Sequence, residues 1–282
     1  MEIVSTADVL REDLSEWRRA GEHIALVPTM GNIHDGHLSL VRLARKHAER
    51  VVVSIFVNPT QFGEGEDIDS YPRTIERDTR SLKRAKVDLL FVPDVATIYP
   101  FGTDNATSVT VPVLTDDLCG TFRPGHFAGV TTVVSRLFGL VQPDVAVFGQ
   151  KDYQQQLVIR RMAEDLSLPT KIIAGPTVRE EDGLAKSSRN QYLSDVERAI
   201  APRLYAAIVE IGARIDDGNT DYAVLEADAM EKLRLAGFDP EYVSVRRASD
   251  LGAPESSDDD LVVLAAARLG AARLIDNLLI RS

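Results

Sequence analysis

Thiols are almost missing from this 282-residue chain, whose one cysteine is Cys119. A single thiol closes no internal disulfide and supplies no multi-cysteine zinc site. Cys119 is therefore expected to be a small buried or half-buried residue, and a reducing compartment fits. Long apolar runs are missing too. The longest, residues 51–57 and 261–267, fall far short of the ~18 residues of a spanning helix. The first ten residues carry Glu2 and Asp8 and no basic stretch leading into an apolar one, so no signal peptide is expected. A soluble, cytoplasmic protein with no membrane partner follows as the expectation. An excess of basic charge is also lacking: 32 Lys and Arg stand against 43 Asp and Glu, a net charge of −11. That field repels nucleic acid, so none is expected as a partner, although a local basic pocket for a small anion stays open. Repeats, low-complexity tracts, a Gly-x-x-x-x-Gly-Lys-[Ser/Thr] loop and a Gly-x-Ser-x-Gly elbow are absent as well.

What is present is an apolar share of 44%, enough to exclude a disordered chain. At about 150 residues per domain, the length suits one large or two modest domains. Strand-like runs at residues 24–27, 51–57, 88–92, 144–148 and 171–174, and a further short one at 108–113, alternate with helix-like stretches. The helices are expected at 37–49, 72–86, 129–141 and 152–165. The β-branched run 51–57 has the pattern of a strand buried on both faces. Such alternation predicts an α/β fold, a Rossmann-type doubly wound parallel sheet. The tail reads differently, with helices at 195–214 and 221–236 and then short strands at 242–246, 261–267 and 273–280. This predicts a smaller α+β C-terminal domain, with residues 1–177 as the first domain and 178–282 as the second. The acidic loop 255–260 reads as solvated.

Four segments carry chemistry. Met30-Gly31-Asn32-Ile33-His34-Asp35-Gly36-His37 follows a strand and opens a helix, where ligands of open α/β sheets sit. Gly31 and Gly36 permit a tight turn and close backbone approach. His34 and His37 are three apart and share a face. The helix N-terminus suits a phosphate, and two imidazoles there can donate to phosphoryl oxygens as negative charge develops. Two other readings stay open: a metal pair with Asp35 as third ligand, although three such close neighbours do not all converge on one ion, or ordinary polar residues at a helix cap. Asn58-Pro59-Thr60-Gln61 follows another strand, so Asn58 and Gln61 are expected to face the same crevice. Their amides both donate and accept, which suits a hydroxy acid; a plain Asn-Pro turn is the alternative. Phe148-Gly149-Gln150-Lys151-Asp152-Tyr153-Gln154-Gln155 places Lys151 as a point charge at a strand end, with Asp152 as an N-cap or a ligand. Lys186-Ser187-Ser188-Arg189 offers two cations and two hydroxyls able to clamp a polyphosphate, in a loop where a mobile lid would lie. A solvated interdomain loop is the alternative there.

Together these segments resemble the pantoate–β-alanine ligases. The matching pieces are Pro28-Thr29-Met30-Gly31 with His34 and Gly36-His37, Phe56 to Phe62, Tyr71-Pro72-Arg73-Thr74, Gly125-His126-Phe127-Ala128-Gly129-Val130, Phe148 to Gln155 and Ser187-Ser188-Arg189-Asn190, in the family's order. The resemblance implies a nucleotidyltransferase domain and a smaller domain that closes over ATP. It implies attack of the pantoate carboxylate on the α-phosphate of ATP, then attack of the β-alanine amine on the pantoyl-adenylate. It assigns Met30, Gly31, Asn32, Ile33, His34, Asp35, Gly36, His37, Gly149, Gln150, Lys151, Asp152, Val178, Lys186, Ser187, Ser188 and Arg189 to ATP. His34, His37 and Lys151 are the catalytic residues it implies. Gln61 and Gln155 are assigned to pantoate, and Gln61 also to β-alanine. Mg²⁺ is implied on the ATP phosphates, with Asp78 as a candidate protein contact, and a homodimer is implied. The chain departs from the family at Lys186, where an apolar residue is expected.

The rival enzyme reading is a related nucleotidyltransferase that adenylylates a phosphate, against which Gln61 and Gln155 weigh because they form no basic acceptor pocket. An aminoacyl-tRNA synthetase is disfavoured by the short chain and the charge. A nucleotide-sensing scaffold is disfavoured by the retained His34, His37, Lys151 and Arg189.

Overall fold

The computed structural model describes residues 1–255, 258 and 260–281. Six strands form one sheet in which every pairing is parallel: β1 (Glu2–Val4), β2 (Ile24–Thr29), β3 (Arg50–Ile55), β4 (Leu89–Phe91), β5 (Val145–Gly149) and β6 (Lys171–Gly175), in the order β1-β4-β3-β2-β5-β6. Crossovers run by α1 (Ala7–Arg19), α2 (Asp35–Ala44), α3 (Ile75–Arg84), the short α4 (Val95–Ile98) and α5 (Cys119–Phe122), α6 (His126–Val141) and α7 (Tyr153–Asp165). From β2 the chain builds outward through β3 and β4, then returns to lay β5 on the other side of β2. The strand order therefore reverses at β2 and β5, and ligands of open α/β sheets bind outside the carboxyl ends of strands at such a reversal.

The reasons for these elements are local. Val51, Val52 and Val53 are wholly buried, as a strand covered on both faces requires. Leu40, Val41 and Ala44, one helical turn apart, set the buried face of α2 among Ala25, Val27, Val53 and Val147. Fully burying a Leu or Val side chain is worth about 1.5–3 kcal/mol, so this face fixes α2 firmly. Gly175 allows the approach, since a Cβ there would lie 2.3 Å from a methyl of Leu40.

Three expectations need correction. Residues 108–113 form no strand. Val109 donates its N–H to Thr132 Oγ1 (2.9 Å) and its carbonyl accepts from Thr131 Oγ1, so α6 side chains take the groups a neighbouring strand would use. Pro112, which has no N–H, also disfavours a ladder. The helix expected over 195–214 is two, α8 (Asp195–Ile200) and α9 (Arg203–Asp216), broken at Pro202. The helix expected over 37–49 begins at Asp35 and stops at Ala44. β1 and α1 had no counterpart in the sequence reading.

By contact density the chain divides into two compact units, Met1–Gln150 with Val158–Pro176, and Lys151–Leu157 with the chain from Thr177 onward. The second unit holds α8, α9, α10 (Tyr222–Leu235) and an antiparallel sheet of β7 (Asp239–Arg247), β8 (Asp260–Leu269) and β9 (Ala272–Arg281), in that order. Its core joins Leu204, Ile208 and Ile211 of α9 and Leu225 and Leu233 of α10 to Val243, Val263 and Ala265 of the sheet. Gly212 lets α9 lie close to β9, because a Cβ there would meet Leu278 at 2.7 Å. Part of the acidic loop 255–260 lies outside the described residues. Glu255 and Asp258 within it are not merely solvated, since each carboxylate stands 3.7 Å from Arg247.

Candidate active site

In the first unit the chain leaves β2 at Thr29 and turns through Gly31 (φ +84°) and Asn32 (φ +51°), a backbone shape for which glycine and asparagine are suited. The buried Asp78 of α3 holds this turn. Its two carboxylate oxygens accept from the backbone N–H groups of Asn32 and Ile33, both at 2.8 Å, and Thr74 Oγ1 adds a third donor at 3.0 Å. Asp78 is thus a brace for the loop; an outward-facing metal ligand would need those oxygens. Arg77 donates to the side chain of Asn32 at 2.9 Å, and Thr29 Oγ1 accepts from Gly31 N while donating to the Ser54 carbonyl.

The turn delivers His34 to the N-cap of α2 and His37 to its first turn, with ring centroids 4.1 Å apart. Both rings cap the helix. His34 Nδ1 accepts from Gly36 N at 3.1 Å, and His37 Nδ1 accepts from His34 N at 3.4 Å. The open cap reading is therefore correct as far as it goes. It has a further consequence: a neutral imidazole whose Nδ1 accepts carries its proton on Nε2. Two N–H donors are thereby fixed at the positive end of a helix dipole, and both rings are only half-buried. Asp35 is exposed beside them. Among the described residues no three His, Cys, Asp or Glu side chains are grouped to hold a metal.

Gln61 lies in the turn of 3-10 helix Pro59–Gln61 after β3. Its Oε1 accepts from Asn58 Nδ2 (3.2 Å), and its Nε2 donates to the sulfur of Met30 (3.1 Å), which ties it to the loop after β2. Asn58 does not share its crevice, contrary to expectation. It is buried, and its other bonds go to the Gly129 carbonyl, Thr60 and Tyr99. Burial pushes the Tyr99 phenol up, against the pull of Thr60, Arg136 and Asn58, so it stays a donor to Asn58. Gly129 on α6 is required here, since a Cβ would meet the Thr60 carbonyl oxygen at 2.3 Å. The Gln61 carbonyl accepts from His126 Nδ1 at 2.8 Å and from Arg123 at 3.4 Å, and Arg123 is paired to Glu66 by two contacts of 2.6 Å. Burial would raise the Glu66 carboxyl, but the Arg123 hydrogen bonds and charge, a Gly63 N–H and His126 outweigh it and hold it at about 2. Gly149 and Gln150, half-buried at the end of β5, complete the first unit's share of the expected residues.

In the second unit Lys151 and Asp152 form the 3-10 turn that enters α7, and the Lys151 carbonyl accepts from Asn277 Nδ2 at 2.9 Å. Gln155 is half-buried on the first turn of α7. Residues 178–186 fold back on themselves: Lys186 N donates to the Val178 carbonyl, Glu180 N to the Leu184 carbonyl, and Arg179 bridges Ala185. Arg179 fixes this hairpin. Its guanidinium lies 3.4 Å from the centre of the Tyr205 ring and takes both oxygens of the buried Asp276 at 2.6 and 2.8 Å. Lys186, the residue at which the chain departs from the family, pairs with Glu180 at 3.0 Å. Ser187 caps the turn Ser188–Tyr192 by accepting from Arg189 N.

Within the first unit, then, residues 30–37 and Gln61 are brought together through Met30. Within the second, Val178 and Lys186 meet through the hairpin that leads into Ser187–Arg189. Sequence reading missed Glu66, Tyr99, Arg123, Arg179 and Asp276, and gave Thr60 no role of its own. The five have no local signature, because each acts on a partner far along the chain. His126 and Gly129 were visible only as parts of a motif without a role.

The family model described as pantoate-beta-alanine ligase matches residues 2–279. A pantothenate synthetase of Thioalkalivibrio sulfidiphilus is 55% identical over 278 residues, 99% of this chain and 97% of that protein. One from Pseudomonas fluorescens is 53% identical, covering 99% and 98%. The crystal structure of pantothenate synthetase from Thermus thermophilus superposes with a TM-score of 0.92 at 47% identity over 99% of both chains. That of the Francisella tularensis ligase, in complex with β-γ ATP and β-alanine, gives 0.83 at 33% identity, covering 99% of this chain and 97% of that one.

Proposed function

Because this chain belongs to the pantoate–β-alanine ligase family, we infer that it condenses pantoate with β-alanine, driven by ATP, to give pantothenate, AMP and pyrophosphate. A pantoate carboxylate oxygen attacks the α-phosphorus of ATP and pyrophosphate leaves with the bonding electron pair. The β-alanine amine then attacks the acyl carbon of the pantoyl-adenylate, loses a proton, and AMP departs. Neither step needs a nucleophilic side chain; both need positioning and neutralisation of developing charge.

The observation that carries the site assignment is that both imidazoles accept a backbone N–H at Nδ1. His34 and His37 each spend Nδ1 on the backbone, so a neutral ring carries its proton on Nε2 at the start of α2, and this proton is assigned to the phosphate oxygens of ATP. Met30 to His37, with Gly149 and Gln150, are assigned to ATP. Lys151, Asp152, Val178 and Lys186 to Arg189 are assigned to the same nucleotide on the family resemblance. Gln61 has its Oε1 on Asn58 and one N–H on the Met30 sulfur, so its second N–H is the donor for a substrate oxygen, and it is assigned to pantoate and β-alanine. Gln155 is assigned to pantoate. Mg²⁺ is proposed to enter on the triphosphate and neutralise part of its charge. Among the described residues no three such ligands are grouped and Asp78 is committed to the loop, so the ion would be held chiefly by the phosphates it neutralises.

The homodimer and the cytoplasm remain part of this reading. Light scattering above the 31.0 kDa monomer mass tests the first and cell fractionation the second. The central test is ATP–pyrophosphate exchange with pantoate and Mg²⁺ but no β-alanine, followed by AMP release on adding the amine. Exchange that requires pantoate supports the reading; a folded, ATP-binding protein without exchange overturns it.

A further inference from the structure

We propose that Glu66, Arg123 and His126 form a positioning relay that sets the Gln61 main chain, and through it the Gln61 amide, for pantoate. The proposal rests on the assignment of Gln61 to pantoate made above. The relay runs through directed hydrogen bonds to the Gln61 carbonyl, mainly by way of His126, with a longer direct contact from Arg123 at 3.4 Å. Glu66 accepts both donors of one edge of Arg123 (2.6 and 2.6 Å), which locks the plane of the guanidinium. The other Arg123 terminal nitrogen then points at His126 Nε2, 3.0 Å away. An arginine only donates, so Nε2 must accept, and the proton of the neutral ring lies on Nδ1. That proton is donated to the Gln61 carbonyl at 2.8 Å. This is the opposite tautomer from that of His34 and His37, and it is imposed by Arg123.

Each link is held where solvent competes poorly. Arg123 and Glu66 side chains are 13% and 20% exposed. Gln61 is clamped from the other sides as well: by Gly129, whose absent Cβ leaves room for the Thr60 carbonyl, and by Asn58, which fixes the amide itself. The carbonyl is the point at which Arg123 and His126 hydrogen-bond the Gln61 backbone, beside the close packing of Gly129 on it. A shift there moves the amide relative to Met30 and to the acid it binds.

Replacing His126 with Ala is expected to raise the pantoate KM in ATP–pyrophosphate exchange about tenfold, the weight of one ordinary hydrogen bond. The KM for ATP should stay within about twofold. His126→Asn keeps a donor at the Nδ1 position and should recover most of the pantoate KM, whereas His126→Gln, whose amide sits at the Nε2 position, should not. A role limited to filling space would be served equally by both. The decisive measurement is a double-mutant cycle. If the relay acts through Gln61, His126→Ala adds nothing to Gln61→Ala. Additive effects, or equal changes in both KM values, would overturn the relay alone. Gln61→Ala with an unchanged pantoate KM would instead overturn the assignment of Gln61. Should His126→Ala fail to fold, Arg123→Lys, which cannot supply the planar fork, carries the same cycle.

Discussion

Two segments of this molecule are anchored in different ways. The loop Met30–His37 in the first unit is fixed through its main chain: buried Asp78 takes two backbone N–H groups, and the two imidazoles take two more. The hairpin 178–186 in the second unit closes on its own backbone bonds and is held further by ion pairs, with Arg179 on Asp276, Lys186 on Glu180 and, at its turn, Arg198 on Asp182. Main-chain anchoring sets each peptide of a loop individually, which is what a pair of donors aimed at one phosphate demands. Ion-pair anchoring holds a hairpin as a body while leaving its charged ends able to exchange one anion for another. Imidazoles and a buried carboxylate thus serve a rigid donor array in one place, and ion-paired side chains an adaptable cationic edge in the other.

The largest expected effect tests the buried member of the second set. Arg179→Ala strands the Asp276 carboxylate, 3% exposed, without its partner. Losing one side of a buried pair costs about 3–5 kcal/mol, and urea unfolding should register that loss. A change below about 1 kcal/mol would show that the hairpin does not depend on the pair. Next comes the first set. His37→Ala should leave the fold intact and slow pantoate-dependent pyrophosphate release in a single turnover by at least ~10²-fold. An unchanged rate would break the contrast, since the rigid loop would then be rigid for no catalytic reason. Asp78→Asn is smaller. One amide oxygen must serve donors that two carboxylate oxygens served, so one backbone N–H is left short, at about 1–3 kcal/mol. If hydrogen exchange at Asn32 and Ile33 does not quicken, Asp78 is not the brace of the loop.

Much of this organisation was legible in the sequence, and the limits of legibility follow the same contrast. The strand run 51–57, the turn glycines at 31 and 36 and the pair His34/His37 announce themselves through local patterns. The family's ordered motifs carried the rest of the recognition. What stayed hidden was the bracing. Asp78 lies 46 residues from Asn32, Arg123 lies 57 from Glu66, and Arg179 lies 97 from Asp276, and no local period links such pairs. Asn58 illustrates the converse error. Its place after a strand suggested a substrate-facing amide, but Tyr99, 41 residues on, and Gly129, 71 residues on, claim it for the interior. The false strand at 108–113 arose in the same way, because Thr131 and Thr132 of α6 supply from a distance what its own residues suggested a sheet would supply.

The Glu66 carboxyl sharpens the comparison by pH. Arg123 and its neighbours hold it at about 2, below its ordinary 4.5. A lowered folded value means that ionised Glu66 stabilises the folded chain fully above about 4.5, and that this contribution is lost as pH falls toward 2. Glu66→Gln should therefore lower the thermal midpoint at pH 7 and narrow its gap to the unsubstituted protein as acid is added. A gap that persists unchanged down to pH 2 would mean that the charge of Glu66 is not what binds Arg123.

The smallest effect belongs to the exposed pair at the turn of the hairpin. Arg198 and Asp182 lie 2.6 Å apart, yet their side chains are 37% and 44% exposed. Water and salt compete for both, and such pairs contribute about 0.2–1 kcal/mol. Arg198→Ala should fall in that range at low salt and approach zero in 1 M NaCl, while Arg179→Ala keeps most of its cost in the same salt. The two variants act on one hairpin through ion pairs, and Arg179 differs in its burial, its second contact to Asp276 and its stacking on Tyr205. Equal salt sensitivity would remove the distinction between a buried anchor and an exchangeable edge.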